Sequence, residues 1–151
     1  MRPRTALIAL TLLITVLLSA CTEKQAVIQT PAGIQYSAQE KAISQPLIIT
    51  KEGPIDQAAC TARGLDKQIV VLHKEGCPAC KQVVPILHQI ETETNIQFNF
   101  IDIKAPEGIA ELNRMNLNTA WTPTLIVDCY AYINVRSKEN YAQIIEGFLK
   151  P

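Results

Sequence analysis

Apolar residues fall into short, regularly spaced runs between residue 46 and the C-terminus. Residues 68–73 contain the unbroken run Ile69-Val70-Val71-Leu72, which is typical of a strand buried on both faces. Residues 77–92 instead repeat apolar side chains every three or four positions, and this predicts an amphipathic helix. The stripe consists of Val83, Val84, Leu87 and Ile90.

The remaining runs alternate between the same two patterns. Pro54 at a first helical position, Gly64 as a terminator and Ser137 as an N-cap mark helix ends. Strands are predicted at 46–50, 96–103, 124–128 and 131–135, the last two as a hairpin, and helices at 54–63, 106–116 and 137–147. The order β-α-β-α-β-α-β-β-α predicts an α/β fold with a mixed sheet sandwiched by helices.

The N-terminal residues have the sequence pattern of an export signal. Arg2 and Arg4 precede an apolar stretch over residues 6–18, which is short for a membrane span but suits the apolar region of a signal peptide. We therefore expect residues 1–20 to be removed. The segment Leu18-Ser19-Ala20-Cys21 resembles the lipobox of bacterial lipoproteins, which implies that Cys21 becomes the lipidated first residue. Ordinary cleavage that leaves a free Cys21 is the alternative.

Residues 21–45 are predicted to be a flexible tether to a domain at 46–151. They mix Gln, Ala, Ser, Thr and Lys, with Pro31 and Gly33 as breakers, and such a chain spans on the order of 25 to 30 Å. The alternative is that residues 26–36 pack as an extra strand or turn. Thr22 follows the lipobox where inner-membrane lipoproteins of many Gram-negative bacteria carry Asp, so the resemblance implies the outer membrane.

Charge and cysteine content limit the classes of function that the sequence allows. Fourteen basic residues balance 14 acidic ones, so binding of nucleic acid through its phosphates is not expected. Of the five cysteines, lipidation of Cys21 would leave an even number in a compartment where disulfides persist. Two of these are only two residues apart, Cys77 and Cys80.

Two motifs resemble the thioredoxin-like superfamily, and the likeness covers residues 46–150. The run Cys77-Pro78-Ala79-Cys80-Lys81, with Pro85 five residues after the second cysteine, follows the buried strand as the active-site segment of thioredoxins does. The run Trp121-Thr122-Pro123-Thr124-Leu125 precedes a hairpin and resembles the superfamily's cis-proline loop. The resemblance implies a thioredoxin-like fold and thiol-disulfide exchange.

The resemblance also implies a role for each residue. Cys77 at the start of a helix is the nucleophile, because helix N-terminal N–H groups stabilise a thiolate, and Cys80 is the resolving cysteine. Trp121, Thr122 and Pro123 would contact an extended substrate segment. Thr122 also occurs there in periplasmic disulfide isomerases; alternatively, it is only a β-branched strand residue.

The residue before the second cysteine indicates how strongly oxidising the Cys77-Cys80 pair is expected to be. Ala79 offers the Cys77 thiolate neither charge nor a hydrogen bond, so a reductase or isomerase is expected rather than a strong oxidant. His73, four residues upstream of Cys77, either tunes the thiol or merely packs at the strand end.

The other two cysteines, Cys60 and Cys129, are expected to form a structural disulfide away from the active site, as the resemblance implies. Two buried free thiols and a second redox pair are the alternatives. The histidines His73 and His88 and these cysteines lack zinc-site spacing, so neither metal nor any cofactor beyond the Cys77-Cys80 disulfide is expected.

Two functions remain open. The first is a lipid-anchored oxidoreductase on the periplasmic side of the envelope, with cysteine-containing exported proteins and a membrane redox partner as its partners. The second is a non-catalytic binding or assembly module in which Cys77 and Cys80 form a structural disulfide. The direction of electron flow stays open.

Overall fold

The computed structural model describes residues 43–150 together with the backbone of residues 28–29 and 35–36. The signal peptide, Cys21 and most of the tether lie outside the described residues. Within the tether range, β1 (Ile28–Gln29) pairs with β2 (Gln35–Tyr36) in antiparallel fashion. None of the helices in the described part of the chain combines the length and the apolar character that a membrane crossing requires.

Two further sheets make up the rest of the β structure among the described residues. The strands are β3 (Leu47–Ile49), β4 (Gly53–Pro54), β5 (Ile69–His73), β6 (Phe98–Asp102), β7 (Leu117–Thr119), β8 (Thr124–Val127) and β9 (Tyr130–Ile133). The main sheet has the order β4-β9-β8-β5-β6, and β3 pairs with β7 in a small parallel sheet. Because β5 runs parallel to β6 and antiparallel to β8, the five-stranded sheet is mixed.

Four helices pack against the main sheet: α1 (Gln57–Ala62), α2 (Pro78–Thr94), α3 (Pro106–Met115) and α4 (Lys138–Leu149). Successive side chains of β5 enter different core clusters, since they alternate between the faces of the sheet. Val70 and Leu72 join residues of α1 and α3, whereas Ile69 and Val71 join residues of α2 and α4. The predicted α/β class, with a mixed sheet and helices, is confirmed, and so is the burial of β5 on both faces.

Because β5 is buried, it holds in place the start of the segment that leads to Cys77. Ile69, Val70, Val71 and Leu72 are at most 1% exposed. Burying each aliphatic side chain contributes roughly 1.5 to 3 kcal/mol. The chain therefore leaves the sheet at His73 from a well-packed internal strand, four residues before Cys77.

Several element bounds differ from the sequence-based expectation. The helix predicted to begin at Pro54 is wrong there, because Gly53–Pro54 is strand β4. Helix α1 starts at Gln57 instead, where Oδ1 of Asp56 accepts a hydrogen bond from Ala59 N at 2.9 Å. Strands β4 and β7 were not predicted. The Ser137 cap is confirmed, since its Oγ accepts from Asn140 N at 3.3 Å, and α2 continues through Pro85.

Candidate active site

Cys77 caps the N-terminus of α2. Its backbone is extended, with φ −75° and ψ 119°, and its Sγ accepts a hydrogen bond from Cys80 N at 3.1 Å. Pro78 occupies the first turn, where its missing N–H costs no helical hydrogen bond. Gly76 has a φ of +75°, a conformation that favours glycine and turns the chain from β5 into the helix. The sulfur of Cys77 thus lies at the positive end of the helix dipole.

Cys77 and Cys80 form a disulfide with their Cα atoms 5.2 Å apart. Cys77 is 6% exposed and Cys80 4%. The residues on either side of Cys77, Gly76 and Pro78, are exposed. Both cysteines are therefore buried, and Cys77 lies between two exposed residues.

The second motif meets the first at the sulfur of Cys77. The Thr122-Pro123 peptide bond is cis. The Cys77 Sγ lies 3.5 Å from the carbonyl oxygen of Thr122 and 3.7 Å from its Oγ1. Four of the residues singled out in the sequence, Cys77, Cys80, Thr122 and Pro123, are thus brought together.

Trp121 is the exposed member of this loop. Its side chain retains 56% of its accessible surface, although its indole Nε1 donates to the carbonyl oxygen of Thr50 at 2.8 Å. The backbone N of Trp121 donates to Thr119 Oγ1 at 3.2 Å. The indole is therefore fixed in direction while much of its apolar surface stays open to solvent, next to Thr122.

His73 and Asp102 lie opposite each other at the ends of β5 and β6. Burial lowers the pKa of His73, against the opposing influence of the Asp102 carboxylate. The pKa of Asp102 is also lowered, first by a hydrogen bond from Lys104 N, and further by His73 and by Glu75 N. His73 is half-buried with its ring 6.3 Å from that of Phe100, so packing is one of its roles.

Sequence reasoning did not single out Asp102. Its Oδ2 accepts from Glu75 N at 3.2 Å, and Glu75 belongs to the exposed loop that leads from β5 to Cys77. The available signal was an aspartate at the end of a predicted strand, but its position opposite His73 depends on strand register, which the sequence does not reveal.

Cys60 and Cys129 form a second disulfide, with a Cα–Cα distance of 5.6 Å and a sequence separation of 69. Cys60 belongs to α1 and is fully buried; Cys129 lies in the β8–β9 turn and is 4% exposed. Both belong to the apolar cluster that α1 and α3 share with the sheet. This pair is surrounded by core residues.

No protein-family model matches the chain, and no curated protein matches it. Within the residues that the structure describes, no group of three or more His, Cys, Asp or Glu side chains is arranged to hold a metal ion.

Proposed function

We propose that the protein is a thioredoxin-like thiol-disulfide oxidoreductase that exchanges disulfides with exported proteins through Cys77 and Cys80. One observation carries the proposal: the Cys77 sulfur caps a helix N-terminus and lies within 3.7 Å of both Thr122 oxygens beside the cis Thr122-Pro123 bond. The strand order supports the thioredoxin-like fold, because the segment bearing Cys77 follows β5, an internal strand between β8 and β6, and the cis proline precedes its neighbour β8.

The reaction begins when the Cys77 thiolate attacks one sulfur of a substrate disulfide. A bond forms between Cys77 and that sulfur, the substrate bond breaks, and the departing sulfur leaves as a thiolate that takes up a proton. Cys80 then loses its proton and attacks Cys77, which releases the second substrate thiol. Two electrons pass to the substrate, and Cys77 and Cys80 end as a disulfide. The reverse sequence oxidises a substrate dithiol.

Three features near Cys77 favour its ionised form, although the Thr122 carbonyl oxygen 3.5 Å away can accept a hydrogen bond only from the protonated thiol. The Cys80 N–H points at the sulfur from 3.1 Å, the Thr122 hydroxyl lies 3.7 Å away, and the helix N-terminus adds a positive partial charge. Cys80 has no such position, because it lies one turn inside the helix. This difference supports Cys77 as the attacking group and Cys80 as the resolving group.

The same site supports a reductase or isomerase rather than a strong oxidant. A strong oxidant needs additional donors or positive charge that stabilise the reduced form. The methyl side chain of Ala79, between the two cysteines, supplies neither. An envelope reductase or isomerase also needs electrons from a membrane partner, which we propose as the second partner of this protein.

Location follows from the N-terminal sequence. We propose that lipid on Cys21 anchors the protein to the periplasmic side of the envelope, in the outer membrane because Thr22 follows the lipidated cysteine. Labelling with a radioactive fatty acid tests the anchor. Incorporation should disappear in Cys21→Ala, whereas Cys80→Ala should still be labelled.

Trapping of reaction partners tests the catalytic proposal. In Cys80→Ser the resolving step is blocked, so mixed disulfides with exported proteins should accumulate on Cys77 and vanish on reduction. The control is the double variant Cys77→Ser with Cys80→Ser, which should trap nothing. A Cys80→Ser protein that forms no mixed disulfide in cells would contradict the proposed catalysis.

The 6% exposure of Cys77 favours a second candidate, a binding or assembly module in which the Cys77-Cys80 disulfide is structural. Equilibration with glutathione buffers distinguishes the two. A reduction potential below about −300 mV, together with no insulin reduction, is expected of a structural disulfide. A higher potential with turnover is expected of the oxidoreductase.

A further inference from the structure

We infer that Asp102 is a positioning residue for Cys77: its carboxylate holds the loop of residues 74–76 and so keeps the cysteine sulfur aligned with its hydrogen-bond donors. The inference rests on the proposed function, and extends it to a residue outside the two motifs. Asp102 belongs to strand β6, which carries none of the residues proposed to react.

The loop depends on few interactions with the body of the protein. Residues Lys74, Glu75 and Gly76 are all exposed, and Cys77 N closes a turn on the carbonyl oxygen of Lys74 at 3.4 Å. At the middle of the loop, the N–H of Glu75 donates to Asp102 Oδ2 at 3.2 Å. This bond joins the loop to a strand 27 residues further along the chain.

Asp102 is itself held firmly. Its strand pairs with β5, where Asp102 lies opposite His73, and Ile103 N donates to the His73 carbonyl oxygen at 2.8 Å. Helix α3 approaches its backbone so closely that a Cβ on Gly108 would lie 1.9 Å from the Asp102 carbonyl oxygen. Oδ1 accepts from Lys104 N at 2.8 Å. A carboxylate fixed in this way provides a stationary acceptor for the loop.

Alignment of the loop determines what the Cys77 sulfur contacts. The sulfur must stay close to both Cys80 N and Thr122 Oγ1 for its thiolate to be stabilised. If the Glu75 N–H lost its acceptor, the exposed loop would sample other conformations, and Cys77 would spend less time in this position. Its thiolate would then form less readily at neutral pH.

The test measures the reactivity of Cys77 in the reduced full-length protein, without any substrate. Iodoacetamide labelling is followed at Cys77 by mass spectrometry as pH is varied. Asp102→Ala should raise the pKa of Cys77 and slow labelling at pH 7 by roughly 3- to 10-fold. Asp102→Asn keeps one acceptor oxygen, so it should recover part of the rate.

Glu107→Gln is the matched control, because Glu107 lines the same surface cavity as His73, Asp102 and Glu111 but, in the described part of the chain, accepts no hydrogen bond from residues 74–76. It removes a nearby negative charge and should leave Cys77 unchanged. Thermal unfolding of each variant measures stability separately. An Asp102→Ala protein that unfolds earlier but labels at the wild-type rate would overturn the inference, as would an equal slowing by Glu107→Gln.

Failure of this test and failure of the proposed catalysis can be distinguished. Failure of the wild-type protein to exchange disulfides with any substrate would contradict the proposed function. The labelling rate of Cys77 would still report whether Asp102 positions it, since alkylation needs neither a partner protein nor Cys80.

Discussion

The two disulfides differ in their surroundings far more than in their exposure. Cys77 and Cys80 are 6% and 4% exposed, and Cys60 and Cys129 are 0% and 4% exposed. The Cys77 sulfur nevertheless contacts an N–H group, a carbonyl and a hydroxyl, whereas Cys60 and Cys129 belong to an apolar cluster. Nearby polar groups distinguish the proposed reactive pair, and burial alone does not.

The two pairs also differ in how much chain they join. Cys77 and Cys80 are three residues apart, and Cys60 and Cys129 are 69 apart. Opening the short link should release little chain entropy, so we expect the domain to stay folded when this pair is reduced. Opening the long link frees a large loop of the unfolded chain and should cost much more stability.

The largest expected effect is on activity. Cys77→Ala should reduce the rate of disulfide exchange with insulin by more than about 1,000-fold, because the attacking sulfur is removed. The double variant Cys60→Ala with Cys129→Ala, assayed below its unfolding temperature, should retain activity. If that double variant lost activity while still folded, the assignment of separate roles to the two disulfides would be wrong.

The next effect is on stability. Removing the Cys60-Cys129 link through the same double variant should lower the free energy of unfolding by about 4 kcal/mol, since the link joins cysteines that are 69 positions apart. Urea unfolding without reductant measures this loss. The matched variant Cys77→Ala with Cys80→Ala should lose clearly less, and equal losses would contradict the comparison.

A smaller effect is expected from the hydroxyl beside Cys77. Thr122→Val keeps the branched shape but removes the Oγ1 that lies 3.7 Å from the sulfur. We expect the pKa of Cys77 to rise and its alkylation at pH 7 to slow by roughly 3- to 10-fold. Thr92→Val, on the exposed face of α2, is the control. An unchanged pKa of Cys77 would leave Thr122 with a packing role only.

The smallest effect concerns Glu52, which binds the strand that follows Cys129. Its Oε1 accepts from Arg136 at 2.6 Å and its Oε2 from Ile133 N at 3.0 Å. The hydrogen bond from Arg136 lowers the pKa of Glu52 below its ordinary value of 4.5. Because the pKa of Glu52 is lower in the folded state than in the unfolded state, its ionisation stabilises the fold at pH values above the unfolded-state pKa. This contribution disappears as pH falls through the folded-state pKa.

Glu52→Gln should therefore be less stable than the wild type at pH 7 by about 1 kcal/mol or less. In acid, below the folded pKa, the difference should vanish. Thermal unfolding from pH 7 down to pH 3 measures both. The control Glu146→Gln removes an exposed carboxylate that lies 3.9 Å from Lys150, and it should change little at any pH. A difference that persisted at low pH would rule out this electrostatic explanation.

Strong sequence periodicity predicted the main elements, and short elements without periodicity were missed. Strand β5 and helix α2 each have a run long enough for the apolar pattern to identify them. Strands β4 and β7 contain only two and three residues, so their pairing depends on neighbours distant in sequence. Pro54 suits a helix start by local preference, but pairing with Tyr130 places it in a strand instead.

The residues of the candidate site also differ in whether the sequence alone could identify them. Cys77, Cys80, Thr122 and Pro123 could be named because motifs carry them, and the fold brings them together. Asp102 could not be named, because its contact with Glu75 N depends on the register between β5 and β6 and on the path of the intervening loop. Local residue preferences determine neither the strand register nor the path of the loop.

The sulfur that caps α2 is also the atom proposed to react, and this links chemistry to helix dynamics. A thiolate is a stronger acceptor than a disulfide sulfur, so reduction should strengthen the hydrogen bond from Cys80 N. The first turn of α2 would then fray less in the reduced protein. Slower deuterium uptake at the Cys80 amide would therefore indicate that the Cys77-Cys80 pair is reduced.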